Sequence, residues 1–347
     1  MARRRPFTLG GRDVAAGSRA TIDLPVSVLS NHMPVTLAAH VVHGRRRGPV
    51  LFVSAGIHGD EVIGVEIVRR LLALGQLDRM AGTLIAVPIV NTLGFLAHSR
   101  YLPDRRDLNR AFPGYADGSL AARLAQLMMS EIVTRADMGI DLHSAAVHRH
   151  NLPQIRVNPD APRAGDLAHA FGAPVILEAA LRPGSLRAAA HEAGVGMLLF
   201  EGGEGLRFDE MTARAGVSGI VRVMHQLGML PARGVSRPRR APVLCRQSRW
   251  LRAPQGGLVR VFRAAGDVVA EGELLAVIAG PFGETEAELR APAAGIIIGR
   301  AVLPVVNEGD ALFHLGAIAS SARAEQAVEA LTGQLSGDPL FDEDEII

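Results

Sequence analysis

Residues 50–88 spell out a strand–loop–helix–strand unit, and no other stretch restricts the fold as tightly. Val50–Ser54 is an apolar run of strand length, closed by Gly56-Ile57-His58-Gly59-Asp60-Glu61. Val62–Leu74 then sets apolar residues at helical spacing, with Glu66, Arg69 and Arg70 on a polar face. Gly82–Pro88 is a second short apolar strand, and the chain turns at Asn91. Two strands without a polar face, joined by a crossover helix, pair in parallel and are covered on both faces.

The alternation continues downstream. Ser119–Ala136 reads as an amphipathic helix opening on a serine cap, Met138–Leu142 as a strand, Leu167–Phe171 as part of a helix and Val175–Leu177 as a strand. Leu186–Ala193 reads as helix, Gly196–Glu201 as strand and Val217–Leu227 as helix. Upstream, Thr21–Val28 and Val35–Val42 are strands broken by turns at Asn31/Pro34 and Gly44–Gly48. The expectation is an α/β fold over 1–235, a mainly parallel mixed sheet flanked by helices.

At 347 residues a second domain is expected. Around Pro231–Pro242 the texture changes to Pro, Arg and Gly, which marks a linker. Five short strands follow, at 257–262, 273–279, 285–291, 295–301 and 311–315, separated by glycine turns. Residues 243–318 are therefore expected to form a small all-β domain that caps the site or mediates assembly. The acidic stretch 336–347 is expected to be a mobile tail.

His58 and Glu61, with two residues between them where a strand turns into a helix, can both face one point. Gly56 and Gly59 let the backbone turn tightly there. Asp141-Leu142-His143 offers a second imidazole at the end of another strand, with Asp141 on the same face to hold its tautomer. Two imidazoles and a carboxylate with a position open to water is the ligand set of a catalytic zinc site. His148 and His150 are rivals that lie beyond the strand. Asn109 and Arg110, in Asp107-Leu108-Asn109-Arg110 and ahead of Phe112-Pro113-Gly114, can clasp a carboxylate. Glu201, at a strand end beside Gly202-Gly203, is placed to act on bound water as a general base, with Glu204 as its substitute.

These four motifs, in this order across roughly residues 20–230, resemble the succinylglutamate desuccinylase/aspartoacylase family, relatives of the zinc carboxypeptidases. The resemblance implies one zinc ion per chain on His58, Glu61 and His143, with Glu201 as general acid/base. It implies that Asn109 and Arg110 hold the substrate carboxylate, and that an upstream arginine polarises the scissile carbonyl. Arg100 fits that last place, with Arg106 as rival. A further substrate arginine falls on Arg187, ahead of Arg156. Aspartoacylase itself binds substrate through a tyrosine of its C-terminal domain, whereas Tyr101 and Tyr115 are the only tyrosines here. The expected activity is zinc-dependent hydrolysis of an N-acyl amino acid or a similar small amide, with an ester not excluded. The alternatives are a metallocarboxypeptidase acting on peptides and a non-catalytic relative that binds a small ligand.

Composition removes other chemistries. All 37 basic residues are arginine, so lysine Schiff bases, pyridoxal phosphate and lysine-borne biotin or lipoate are excluded. The last point matters because the C-terminal strands resemble a biotinyl/lipoyl barrel-sandwich. The formal net charge is +2, and no arginine tract is interleaved with aromatics, so nucleic acid is not an expected partner. Arg45-Arg46-Arg47 reads as a solvated hairpin loop. No apolar run reaches membrane-span length, and Cys245 is the single cysteine. A cytoplasmic protein with a small-molecule substrate is expected, with homo-oligomerisation left open.

Overall fold

The computed structural model describes residues 4–161, 163–238, 240–283 and 286–335. The tail expected at 336–347 lies outside the described residues. A small hairpin, β1 (Phe7–Leu9) and β2 (Arg12–Val14), precedes β3 (Ser18–Val28), β4 (Pro34–His43) and β5 (Arg46–Ala55). Next come α1 (Ile63–Ala73), β6 (Ala81–Val87), the short α2 (Thr92–Leu96), α3 (Leu120–Leu127) and β7 (Met138–His143). The α/β part closes with β8 (Arg149–Val157), α4 (Ala164–Phe171), β9 (Val175–Glu178), α5 (Leu186–Glu192), β10 (Gly196–Gly203) and α6 (Glu210–Gln226).

These strands build a mixed sheet flanked by helices. β6, β5, β7 and β10 are parallel neighbours in that order, while β4 and β3 extend one side antiparallel. β6 and β7 are buried along their whole length, and β5 from Leu51 to Ala55, as their apolar runs require. One face carries α1, α4 and α6, whose Ile67, Leu71, Phe171, Val217 and Ile220 share a core with Val53, Ile140 and Leu198. The opposite face carries α3 and α5 over Phe52, Ile85 and Met197. Side chains of this size contribute about 1.5–3 kcal/mol each when fully buried.

The helix expected over Ser119–Ala136 is not continuous. Ser119 caps it by accepting a hydrogen bond from the Ala122 amide at 3.3 Å. After Leu127 the chain widens into a π-helical turn (Met128–Ile132) and tightens into a 3₁₀ turn (Val133–Arg135). The extra residue of a π turn rotates the side chains that follow it, and Met128, Met129, Ile132 and Val133 all stay buried.

Beyond the Pro- and Arg-rich stretch, β11 (Val243–Cys245) pairs in parallel with β9. An antiparallel region follows: β12 (Ser248–Arg252), β13 (Gly257–Val261), β14 (Val268–Val269) and β15 (Leu274–Ala279), then β16 (Glu286–Arg290), β17 (Gly295–Ala301), β18 (Val305–Val306) and β19 (Ala311–Ala317), ending in α7 (Ser321–Leu335). β16, β15, β13 and β18 form a separate sheet. The order β12–β19–β17–β8–β10, by contrast, continues the central sheet outward. The junction is β8, whose residues 154–157 pair with β9 while residues 149–151 pair with β17.

Candidate active site

The loop after β5 sets the first two functional side chains. Gly56 has φ +62°, a left-handed conformation suited to glycine. At Gly59 a Cβ would lie 2.0 Å from the Gly94 carbonyl carbon and 2.2 Å from the Phe95 nitrogen. Only glycine lets this loop lie against α2. Held there, His58 Nδ1 is 2.6 Å from Glu61 Oε1, and both side chains are buried. β7, the parallel neighbour of β5, delivers His143 to the same point, its Nδ1 2.7 Å from Glu61 Oε2. Among the described residues, His58, Glu61 and His143 are the one group of three such side chains with ligand atoms within 4.8 Å of one another.

The outer nitrogens of both rings are occupied. His143 Nε2 is 2.7 Å from Asp141 Oδ2, and Ser54 donates to the other oxygen of Asp141 at 2.8 Å. His58 Nε2 is 3.2 Å from Asp107 Oδ1, and Arg100 reaches both Asp107 (3.1 Å) and Glu61 (3.3 Å). An imidazole with a carboxylate at each nitrogen needs a cation at both, either a proton or a metal ion. Burial alone would lower the pKa of His143, but Asp141 and Glu61 outweigh it and raise it well above the usual histidine value. His58 is raised likewise, its burial overcome by Glu61 and Asp107. Glu61 is held far below the usual carboxylate range, because the two histidines outweigh its burial. The donor set therefore fits a divalent cation, with Nδ1 as the inward atom of each ring.

This cluster lines a cavity of about 800 Å³, together with Arg100, Asn109, Arg110, Arg187 and Glu201. Asn109 accepts a hydrogen bond from the Leu186 amide at the start of α5, so its carbonyl oxygen is engaged by the fold. Arg187 donates to the Ala180 carbonyl at 2.9 Å, while its buried Nη1 has no hydrogen-bond partner. Burial and the nearby Arg156 and Arg182 bring its pKa down to about 10, against the pull of Glu201. At the far end of β10, Glu201 sits between Asn151 Nδ2 (2.9 Å) and Arg156 Nη1 (3.2 Å).

The rivals lie elsewhere. Arg106 is exposed and pairs with Asp104 at 3.2 Å. Glu204 accepts from the His148 amide, and His150 faces Asp209 at 3.4 Å. The sequence does not single out Asp107, Asn151, Trp250 or His314, and it places Arg156 behind Arg187. Of these, only Asp107 carries a signal, as the first letter of the Asp-Leu-Asn-Arg motif. The C-terminal strands bring Trp250 and His314 to the same cavity, their rings stacked at 4.6 Å. Burial, with Arg156 and Arg182 nearby, lowers the His314 pKa to about 3.

Residues 47–227 match the model of the succinylglutamate desuccinylase/aspartoacylase catalytic domain. The N-alpha-acetyl-L-2,4-diaminobutyric acid deacetylase of Halomonas elongata is 27% identical over 313 residues, which is 86% of this chain and 91% of that protein. Among solved structures, the product-bound ectoine utilization protein EutE (DoeB) from Ruegeria pomeroyi has a TM-score of 0.77 at 25% identity, covering 86% of this chain and 94% of that one. A succinylglutamate desuccinylase from a Silicibacter species gives 0.77 and 25%, covering 87% and 94%.

Proposed function

Since this chain belongs to the succinylglutamate desuccinylase/aspartoacylase family, we propose that it is a zinc-dependent deacylase that hydrolyses the amide bond of an N-acyl amino acid or a similar small amide. The observation that carries this reading is the convergence of His58, Glu61 and His143 at one end of a cavity that also holds Glu201. Zinc on those three residues would supply a Lewis acid for the carbonyl and lower the pKa of water to about 7. Glu201 takes the proton of the attacking water as the C–O bond forms. It then gives that proton to the departing nitrogen as the C–N bond breaks, so one carboxylate serves both steps. Arg100 hydrogen-bonds the carbonyl oxygen and offsets the negative charge that develops there. Asn109 offers its amide N–H groups, and Arg110 and Arg187 their guanidinium forks, to the substrate carboxylate.

The substrate is anionic on this reading. Eight arginines (Arg100, Arg110, Arg149, Arg156, Arg182, Arg187, Arg246, Arg249) face four carboxylates (Glu61, Asp141, Glu178, Glu201) around the cavity. Nα-acetyl-L-2,4-diaminobutyrate, the substrate type named for the Halomonas relative, carries an ammonium that this surplus disfavours. The test is release of free amine from Nα-acetyl-L-aspartate, N-succinyl-L-glutamate and Nα-acetyl-L-2,4-diaminobutyrate, before and after chelation. Chelator-sensitive turnover restored by zinc, with kcat/KM at least about tenfold higher for the anionic compounds, is the expected result. Turnover that persists in protein verified to be metal-free overturns the proposal.

A further inference from the structure

β8 carries an irregularity that reaches Glu201. Opposite β10, Gly203 pairs with Asn151 and Glu201 with Gln154, so three steps along β8 match two along β10. The extra residue is a β-bulge, and Pro153, which has no amide to donate, lies inside it. Asn151 and Arg156 are five residues apart, an odd number that puts side chains on opposite faces of a regular strand. The bulge reverses the alternation between them. Both therefore reach the same carboxylate, Asn151 at one oxygen of Glu201 (2.9 Å) and Arg156 at the other (3.2 Å).

The C-terminal strands complete this arrangement. Asn151 lies directly opposite Gly299 on β17. A Cβ on Gly299 would stand 2.4 Å from Asn151 Oδ1, whereas the nearest backbone atom, the His150 carbonyl oxygen, is 3.4 Å away. The space that glycine leaves is the space the Asn151 amide occupies. An alanine there displaces that side chain and leaves the strand in place.

We propose that Asn151 is a positioning residue for Glu201, aimed by the Pro153 bulge and given room by Gly299, so that the C-terminal β region sets the geometry of the proton-carrying carboxylate. This rests on the reading of Glu201 as the general base. Asn151→Asp keeps the size of the side chain and removes its donor. Gly299→Ala acts from a different strand without touching Glu201. Misplacement of a reacting group by about 1 Å costs on the order of 100-fold in rate. In the zinc-loaded full chain acting on Nα-acetyl-L-aspartate and Nα-acetyl-L-2,4-diaminobutyrate, both variants should lose about 10- to 100-fold in kcat. KM should stay within about twofold and zinc content and melting temperature should be unchanged, a split that general structural damage would not give. Crystal structures of the wild type and Gly299→Ala test the geometry independently of turnover. The Glu201 carboxylate should be hydrogen-bonded to Asn151 in the first and displaced in the second. Wild-type kcat in both variants, or an unmoved carboxylate, overturns the proposal. Glu201→Gln, assayed in parallel, separates the two readings. If it alone is inactive, only the role of Asn151 falls; if it turns over like wild type, the base assignment falls as well.

Discussion

Asp107 and Asp141 hold the outer nitrogens of the two candidate zinc histidines, yet only one of them is legible in the sequence. Asp141 shares a strand face with His143, so a period of two is enough to link them. Asp107 meets His58 across 49 residues of chain, through a loop that has no period to read. Both should act through the rings they hold. Asp141→Asn is expected to weaken zinc affinity 10- to 100-fold, measured by competition with a chromophoric chelator. Glu201→Gln is expected to keep its metal and lose about 10²- to 10⁴-fold in kcat. His314 makes a pH prediction. Its folded pKa of about 3 lies below the ordinary 6.5, so the unfolded chain binds the extra proton. Stability from this residue therefore rises with pH between about 3 and 6.5 and is level above that. Urea unfolding at pH 4.5 and 7.5 should show a smaller acid loss in His314→Gln than in wild type. An equal loss in both would contradict the neutral, buried assignment.

Elements are legible where their pattern is regular and lost where function or packing interrupts it. The strand–loop–helix–strand unit from β5 to β6 lies within a few residues of its expected bounds, because apolar runs and glycine breaks coincide there. The start of β8 has the sequence of a polar loop, since Arg149, His150, Asn151 and Pro153 give neither an apolar run nor a clean alternation. Two of those residues, Asn151 and Pro153, belong to the bulge opposite Glu201. The π turn after α3 is also hidden, because its residues continue the apolar spacing of the helix before it. At this scale the ligand loop is the sensitive element. Gly59→Ala would drive a Cβ into the backbone of Gly94 and Phe95, neither of which is a flexible side-chain end. It is expected to shift His58 and Glu61, lower zinc affinity at least about tenfold and destabilise the fold by several kcal/mol, within the range of severe overpacking. Calorimetric melting and zinc titration of the purified variant check both effects.

Across the whole molecule the central sheet does not stop at the end of the α/β part. β17 and β19 extend it from β8, and Leu152, Cys245, Ile296, Ile298 and Ala324 share one core. Removing the chain from residue 243 onward would expose the β8 edge and that core, so a chain ending at 242 is expected to be insoluble or to aggregate on size exclusion. A soluble, zinc-binding fragment would show that the two parts fold independently. No helix among the described residues is long and apolar enough to cross a membrane. The short strands of the C-terminal region are legible from their glycine turns. Their continuity with the sheet is not, because pairing between β8 and β17 spans about 150 residues and leaves no local trace. The central claim is the zinc centre, and metal content tests it most directly. After reconstitution with zinc and exhaustive dialysis, elemental analysis should find about one zinc per wild-type chain and none in His58→Ala. A wild-type chain that holds no zinc, or a His58→Ala variant that holds as much as wild type, would contradict the account.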